Sequence, residues 1–520
     1  MTEATNISGE QFNPIEQRSG TPERWLVRLD GRALITGLGL WLSFVGLFAL
    51  IHFASPNLAG NDDFFHIKFA QIMREQGLRP PFLWLPLTIL NPADYFDHHF
   101  LYHVLLIPFT FGDLRLGAKW ASVIFPASAF LVGWVLLRCQ RVHYAALWAV
   151  GFFAVSESFL ERLIMTRVQA VSLLMLLLTL HLTLKGRYRW LIPLAFIYTW
   201  LYDAFPLLLS MIGLYVAMRW LIDKTFNLAP LLYAGLGVGL GLLINPYFPN
   251  NLIFIYHHIL PKLIDLTDAD INVGNEWYPY ETWILIEWSW LALLAFFSGA
   301  FILGLRERRM TSTEATLFLI TLFFGLLLFK SRRFIEYFPA FALIFCAVAW
   351  QPTLASWLER SSRAAKLLPL GLILMLASTI WINVREAQQD MRDADSYRRY
   401  ADASAWLIAN TRPGSPVFNT DWDDFSRLFY YNTHNTYMLG LDPTYMHAYD
   451  PELYQLWRSI TRGWTEHMSQ PIRHTFGAEY VITDLNHSGF LNEAKYDPNL
   501  LEVYRDEDAV IFVVVSDGVD

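Results

Sequence analysis

Long apolar runs separated by short polar loops are the dominant pattern along the chain. A membrane-spanning helix needs about 20 apolar residues, and buried spans can be shorter, so the pattern predicts about 11–13 transmembrane helices. We therefore expect a polytopic α-helical membrane protein. The candidate spans are Ala33–Ala54, Leu116–Leu137, Tyr144–Val155, Val168–Leu184, Trp190–Trp200, Ala204–Met218, Leu228–Ile244, Trp283–Leu305, Ala315–Phe329, Phe334–Trp350 and Leu367–Trp381.

Positive charges are distributed unevenly over the loops between these runs. Short cytoplasmic loops of membrane proteins carry an excess of Lys and Arg. With a cytoplasmic N-terminus, every loop on that side carries at least a pair of cations, for example Arg306 and Arg308. This arrangement predicts a multi-pass protein of a bacterial plasma (inner) membrane. An odd number of spans leaves the chain after about Arg385 extracytoplasmic.

The sequence becomes polar and mixed after Trp381. Helical and strand patterns alternate through this region and end in a predicted hairpin over residues 500–515. Such alternation is typical of a small α/β domain. The predicted organisation is a cytoplasmic tail over 1–32, a transmembrane domain over 33–384 with its first outer loop at 55–113, and an extracytoplasmic α/β domain over 385–520.

Composition agrees with this organisation and excludes one class of partner. The 520 residues are 54% hydrophobic and 17% charged, whereas soluble proteins have about a quarter of their residues charged. The net charge of −8 is spread along the chain, so no nucleic acid is expected as a partner. Membrane lipids are the expected surroundings instead.

A polar cluster follows directly after the first apolar run, in the stretch Asn61-Asp62-Asp63-Phe64-Phe65-His66. Asn61 or Asp62 is a suitable N-cap for a surface helix that ends before Gly77. Carboxylates with nearby histidines suit a divalent metal such as Mg or Mn, or a general base. The predicted ligands are Asp62, Asp63, His66, Asp97 and His98. Helix capping in a solvated loop is the alternative interpretation.

Four arginines occupy the outer ends of spans, where the charge rule predicts few cations: Arg162, Arg167, Arg332 and Arg333. One interpretation is salt bridging with nearby glutamates such as Glu336. The other is a clamp for a lipid phosphate, because the guanidinium fork grips phosphate oxygens with two hydrogen bonds. Further polar residues on the same side, Glu157, Asn245, His257 and Glu276, are predicted to contact substrate or acceptor, because ionisable groups near spans usually serve function.

The stretch Asn61-Asp62-Asp63-Phe64-Phe65-His66-Ile67-Lys68 resembles the opening motif of the GT-C superfamily of integral-membrane glycosyltransferases. The layout is most similar to oligosaccharyltransferase catalytic subunits. The resemblance implies a GT-C-like fold, a polyprenyl-phosphate-linked sugar donor, and Asp62 or Asp63 as the catalytic or metal-binding carboxylate. It implies Arg332 or Arg333 at the donor phosphate and the pair Trp422-Asp423 on the acceptor side.

Two departures from that family weaken the case for a peptide acceptor. The second outer loop lacks an Asp-x-Asp or Asp-x-Glu motif, and the Trp-Trp-Asp-Tyr-Gly signature is reduced to Trp422-Asp423. A glycan, a lipid or another acceptor is at least as compatible with the sequence as an asparagine side chain.

These observations predict a glycosyltransferase that moves a sugar or oligosaccharide from a polyprenyl-(di)phosphate donor to an acceptor on the outer face. Two alternatives remain, a transporter or flippase of lipid-linked sugars and a non-catalytic membrane scaffold. Transporters often contain internal repeats and polar groups at the bilayer midplane. This sequence has no detectable repeat, and its polar groups gather at one face, which favours the enzyme.

Overall fold

A computed structural model describes residues 31–259, 271, 274–360 and 362–515. The predicted cytoplasmic tail lies almost entirely outside these residues. Between residues 31 and 259 the structure describes eleven α-helices, here numbered in chain order. They are α1 (Gly31–His52), α2 (Asp62–Gln76), α3 (Phe100–Leu106), α4 (Leu114–Cys139), α5 (Ala145–Val150), α6 (Glu157–Leu163), α7 (Gln169–Leu184), α8 (Leu191–Leu201), α9 (Phe205–Asp223), α10 (Ala229–Leu243) and α11 (Asn250–Phe254).

The second half contains the remaining apolar helices and a mixed C-terminal domain. The apolar helices are α12 (Thr282–Gly304), α13 (Ser312–Lys330), α14 (Phe338–Arg360) and α15 (Ser362–Asp393). The C-terminal helices are α16 (Ala401–Asn410), α17 (Phe425–Tyr431), α18 (Thr444–Tyr449), α19 (Pro451–Thr461), α20 (Ser469–His474) and α21 (Ser488–Ala494). The strands are β1 (Pro416–Asn419), β2 (Thr436–Tyr437), β3 (Tyr480–Asp484), β4 (Leu500–Arg505) and β5 (Ala509–Val514).

The helical membrane architecture predicted from the sequence is confirmed, with differences in helix length. Within the described ranges, 7 helices are long and apolar enough to cross a membrane: α1, α4, α9, α12, α13, α14 and α15. The other predicted spans fall on shorter helices. The run Tyr144–Val155 forms only α5, which ends at Val150, and a 3-10 turn over Gly151–Phe153. The last apolar helix, α15, continues to Asp393, past the predicted end of the transmembrane domain at residue 384.

Close backbone approach holds α8 against α10. A Cβ atom on Gly237 would lie 2.3 Å from the Ile192 carbonyl oxygen, and one on Gly241 would lie 2.8 Å from Thr199 Cβ. Membrane helices pack through such small residues because lipid supplies no hydrophobic force between them. The short helix pair is therefore joined by shape complementarity.

The C-terminal region is the α/β domain that the sequence predicts. Its five-stranded sheet has the order β2-β1-β3-β5-β4. Strands β1, β2 and β3 are parallel, whereas β5 runs antiparallel to β3 and β4. The predicted terminal hairpin is thus present as β4 and β5. The carboxyl end of β1 leads into the acidic segment that follows Asn419.

The first outer loop forms a platform on which this domain rests. Aromatic side chains of α2 pack on those of α17, with 5.4 Å between the ring centroids of Phe65 and Phe429. The predicted cap residue Asn61 makes no side-chain hydrogen bond to its own helix. Its amide instead donates to the Asp423 carbonyl oxygen at 2.7 Å and accepts from Arg427 Nε at 2.6 Å. The start of α2 is therefore bonded to the C-terminal domain.

Candidate active site

A pocket lies where the first outer loop, the ends of the membrane helices and the C-terminal domain meet. The outer loop supplies Asp62, Phe65, His66, His98 and His99. The helix ends and their loops supply, among others, Arg167, Tyr202, Asp203, His258, Glu276 and Arg333. The domain supplies Trp422, Asp423, Leu441, Asp442 and Tyr445. Charged groups of both signs thus face one cavity between two parts of the fold.

The two adjacent carboxylates of the motif have different surroundings. Asp62 lines the pocket, keeps 29% of its side chain exposed, and forms an ion pair with Arg167 at 3.1 Å. Asp63 is buried and points the other way. Its carboxylate accepts hydrogen bonds from the backbone N–H groups of Gly60 at 3.1 Å and Thr166 at 2.7 Å. Of the pair, only Asp62 is placed to meet a substrate.

Burial dominates the electrostatics of Asp63. It raises the pKa of this carboxyl from 3.8 to about 7, although the two backbone N–H donors favour the charged form. The side chain ties the start of α2 to the loop between α6 and α7. We therefore assign Asp63, predicted as catalytic and as a metal ligand, to the architecture of the loop.

Arginines and acidic residues form a connected network at the membrane end of the pocket. Arg167 donates to Glu276 at 2.5 Å in addition to its contact with Asp62. Arg162 bonds Glu276 at 2.6 Å and the buried Glu336 at 2.7 Å. Arg333 lies 3.6 Å from Glu276 and stacks its guanidinium 4.7 Å from the Trp277 ring centre. These cations hold the pKa of Glu276 well below its usual range despite its burial.

The four arginines predicted to bind phosphate separate into two pairs. Arg167 and Arg333 line the pocket. Arg162 does not, because its guanidinium is used in the buried ion pairs with Glu336 and Glu276. Arg332 does not either, because it turns away to donate to the Pro279 carbonyl oxygen at 3.2 Å. Salt bridges therefore engage both Arg162 and Arg167, but of the four arginines Arg167 and Arg333 are the two that face the pocket.

The five predicted metal ligands do not come together. Among the described residues, no three His, Cys, Asp or Glu side chains are grouped so that they could hold a metal ion. Asp63 is engaged by backbone N–H groups, as described above. Asp97 and His66 are both hydrogen-bonded to His103, which the sequence-based set did not include. Only Asp62, His66 and His98 of the five line the pocket.

Three of the residues predicted to contact substrate lie elsewhere. Glu157 starts α6 and is not part of the pocket lining. Asn245 is buried and its side chain accepts from the Tyr247 backbone at 2.9 Å. His257 is exposed, whereas the neighbouring His258 turns into the pocket. Trp422, Asp423 and Glu276, by contrast, line the pocket.

Sequence reasoning also missed residues that the fold brings to the pocket. Asp203 follows α8 as an isolated charge between two apolar runs, which was a usable signal. Tyr202 and Tyr445 had none, because aromatic residues are abundant throughout the chain. Asp442 follows β2 in a loop whose position depends on the sheet order.

No protein-family model matches the sequence, and neither does any curated protein sequence. Solved structures do match. The oligosaccharyltransferase AglB from Archaeoglobus fulgidus, in complex with an inhibitory peptide and a dolichol-phosphate, aligns with a TM-score of 0.64 and 12% identity over 92% of this chain and 74% of that chain. ArnT from Cupriavidus metallidurans, bound to undecaprenyl phosphate, aligns with a TM-score of 0.57 and 14% identity over 93% and 98%.

A third match is the arabinofuranosyltransferase AftD from Mycobacteria, with a TM-score of 0.53 and 14% identity. The alignment covers 92% of this chain and 40% of AftD. All three are GT-C glycosyltransferases. The GT-C-like fold that the motif resemblance at residues 61–68 implies and the membrane architecture predicted from the apolar runs are thereby confirmed. The low identities establish the fold alone.

Proposed function

We propose that the protein is a glycosyltransferase that moves a sugar or oligosaccharide from a polyprenyl-phosphate-linked donor to an acceptor at the outer face of the membrane. The observation that carries this proposal is the pocket itself, in which Arg167 and Arg333 face the carboxylate Asp62. Structural neighbours bound to dolichol-phosphate and to undecaprenyl phosphate support the donor class.

The arginines would bind the phosphate of the donor. In the structure their positive charge is balanced by Glu276 and, for Arg167, by Asp62 as well. A donor phosphate would replace Glu276 as the partner of the two guanidinium groups. Transfer breaks the bond from the anomeric carbon to the phosphate oxygen, and negative charge grows on that oxygen as it leaves. Preorganised cations stabilise such charge most strongly where water is excluded.

Asp62 would contact the sugar or the acceptor beside the arginines, because its carboxylate lines the same pocket and lies 3.1 Å from Arg167. Its carboxylate can orient an acceptor group by accepting a hydrogen bond and can balance the positive charge that develops at the anomeric carbon. Trp422 and Asp423 would contact the acceptor from the domain side. The polar outer-loop position of these groups, together with the loop charges, supports reaction on the extracytoplasmic side of a bacterial plasma membrane.

A divalent metal, expected from the sequence, has no step in this mechanism. The reason is the donor set itself, since Asp63 and Asp97 are committed to other bonds and Asp62 is paired with Arg167. We expect product formation to continue in a chelator. Product that vanishes with chelator and returns with Mg or Mn would contradict this part of the proposal.

Adjacent arginines allow a matched test of the phosphate clamp. The full-length protein in lipid nanodiscs is incubated with labelled polyprenyl-phosphate sugars and candidate acceptors, and products are identified by mass spectrometry. Arg333→Gln should weaken donor binding at least about tenfold, because a charge-assisted contact to phosphate is lost. Arg332→Gln should behave as wild type, because Arg332 does not line the pocket. Equal behaviour of the two variants would contradict the clamp. Donor binding without any product would favour a carrier of lipid-linked sugars.

A further inference from the structure

Three buried side chains form a hydrogen-bonded line behind the pocket. Asp97 Oδ2 lies 2.7 Å from His103 Nδ1, and His103 Nε2 lies 2.8 Å from His66 Nδ1. Asp97, His103 and His66 are only 3%, 1% and 5% exposed. His66 alone of the three lines the pocket. The line therefore runs from a buried carboxylate to the surface that a substrate would touch.

The chemistry of the three groups determines where the protons lie. An ionised carboxylate only accepts hydrogen bonds, so His103 must donate from Nδ1 to Asp97. A neutral imidazole with its proton on Nδ1 carries a lone pair on Nε2. His103 Nε2 therefore accepts from His66 Nδ1–H. By the same rule, Nε2 of His66 carries a lone pair and can accept a proton from the pocket.

The groups around His66 keep it neutral in the resting state. Burial first, then any proton on the neighbouring His103, the charge of Arg167 and any proton on His98, hold the pKa of His66 well below its ordinary value. His99 packs edge-on 5.1 Å from the His66 ring and Tyr102 lies 5.4 Å from it. An imidazolium at His66 would therefore be costly unless its second proton could move on.

We propose that the Asp97–His103–His66 line accepts the proton of the acceptor during transfer, and that the acceptor nucleophile is accordingly a neutral hydroxyl. This inference rests on the proposed glycosyltransferase function. The hydroxyl oxygen forms its bond to the anomeric carbon while the bond from that carbon to the phosphate oxygen breaks, and the phosphate keeps the electron pair. The hydroxyl proton passes to His66 Nε2, the Nδ1 proton of His66 passes to His103 Nε2, and the Nδ1 proton of His103 passes to Asp97.

This sequence of transfers leaves no extra charge on either histidine. Both rings finish neutral with their tautomers exchanged, and Asp97 finishes as a neutral carboxylic acid. A buried line that ends in a carboxylate can thus take up one proton without creating a buried cation. An acceptor that attacks through a phosphate or carboxylate oxygen is already anionic and would need no such route. The line therefore favours an acceptor that attacks through a neutral hydroxyl.

Asp97→Asn tests the line with little change in shape. The asparagine keeps the oxygen that accepts from the His99 backbone N–H, a bond of 3.0 Å in the wild type. Its amide N–H₂ now faces His103 Nδ1, which must become an acceptor. Both histidines then adopt the opposite tautomer, and His66 presents an N–H to the pocket. Asp94→Asn is the matched control, because Asp94 lies in the same loop and is exposed, and within the described part of the chain its carboxylate bonds only Asn91.

Two measurements on the full-length protein in nanodiscs test whether the Asp97–His103–His66 line accepts the proton. Nitrogen NMR of selectively labelled histidine should show His66 with unprotonated Nε2 in wild type and Asp94→Asn, and with protonated Nε2 in Asp97→Asn. With an alcohol acceptor, kcat of Asp97→Asn should fall about 10²-fold or more, the usual contribution of a positioned base, while donor affinity and melting temperature stay unchanged.

Each other outcome overturns the inference in a recognisable way. Wild-type kcat in Asp97→Asn, or an unchanged His66 tautomer, removes the proton line. A loss of donor affinity and melting temperature together with kcat reduces the line to a structural role. Activity only on acceptors that attack through an anionic oxygen removes the hydroxyl assignment. Absence of product in the wild type contradicts the proposed function instead, while the NMR result still reports on the tautomers.

Discussion

Substituting Asp62 and Asp63 separately distinguishes chemistry from architecture at the motif. Asp62→Asn keeps the size of the side chain and removes a charge on a side chain that is 29% exposed. Arg167 stays paired with Glu276 in this variant, so no buried cation is left without a partner and the effect on folding should be small. Removing a preorganised charge from a reaction centre typically costs about 10²–10³-fold in kcat. We expect Asp62→Asn to fold normally and to lose most of its product formation.

For Asp63→Ala we expect the reverse result, a loss of stability rather than a direct loss of chemistry. Its carboxylate is the hydrogen-bond acceptor for Gly60 N–H and Thr166 N–H. An unsatisfied buried donor costs about 1–3 kcal/mol, so two cost about 2–6 kcal/mol. The wild-type carboxylate itself is disfavoured by burial, which offsets part of this loss. A net destabilisation of about 2–4 kcal/mol follows, and Asp63→Asn should be milder because its amide oxygen still accepts one bond.

The assay pairs thermal unfolding with product formation for each variant in the same nanodiscs. Activity should be compared well below the melting temperature, where every variant is folded. Gly60→Ala is an independent probe of the same loop, since its Cβ atom would meet Asp63 Oδ1 at 3.1 Å and Met165 at 3.3 Å. Asp63→Ala with wild-type melting temperature and no product would refute the assignment, because Asp63 would then take part in the chemistry. Full activity of Asp62→Asn would refute the role of Asp62.

Two further predictions concern the C-terminal domain. Arg427→Met should lower the melting temperature by several degrees, because Arg427 donates to Asn61 Oδ1 at 2.6 Å and to the Ser396 carbonyl oxygen at 2.9 Å. Hydrogen bonds from a charged group contribute about 1.5–3 kcal/mol each to stability. Arg398→Met, at an exposed position, is the control, and equal melting temperatures of the two variants would contradict the docking contact. Burial, aided by the charge of Asp421, raises the pKa of Asp424 from 3.8 to about 7. The unfolded chain therefore loses this proton at lower pH than the folded protein does. As a result, the folded state loses stability as pH rises from about 4 to about 7. Asp424→Asn should therefore melt higher than wild type at pH 8 and show no such gain at pH 4, and a pH-independent difference would count against burial as the cause.

Much of the architecture could be predicted from local sequence. Apolar runs become helices wherever they occur, because a backbone in lipid must satisfy its own hydrogen bonds. The helix stop at Gly77 and the terminal hairpin of β4 and β5 depend on neighbouring residues, so they too were predictable. The lengths of the spans were less predictable. Short helices such as α5 pack on longer neighbours such as α4, and those long-range contacts have no local signature.

The motif at Asn61–His66 shows where local information ends. Sequence placed two carboxylates and a histidine at the outer end of the first span, and charge patterning predicted their side of the membrane. It could not distinguish Asp62 from Asp63, because the choice depends on Thr166, which is 103 positions away and holds Asp63 inward. It could not distinguish Arg332 from Arg333 either, since the 3-10 turn at Arg332–Glu336 directs one to the pocket and the other away.

By itself, the sequence determined the membrane topology class, the α/β domain and the stretch of chain that carries the site. These follow from hydrophobic periodicity and charge, which act over a few neighbouring residues. Only the tertiary structure decided which side chains share the pocket, and that the C-terminal domain lines it together with Asp62. It also decided that His103 rather than a metal lies between Asp97 and His66. Those contacts join distant segments, and their geometry exists only once the helices and the sheet have packed.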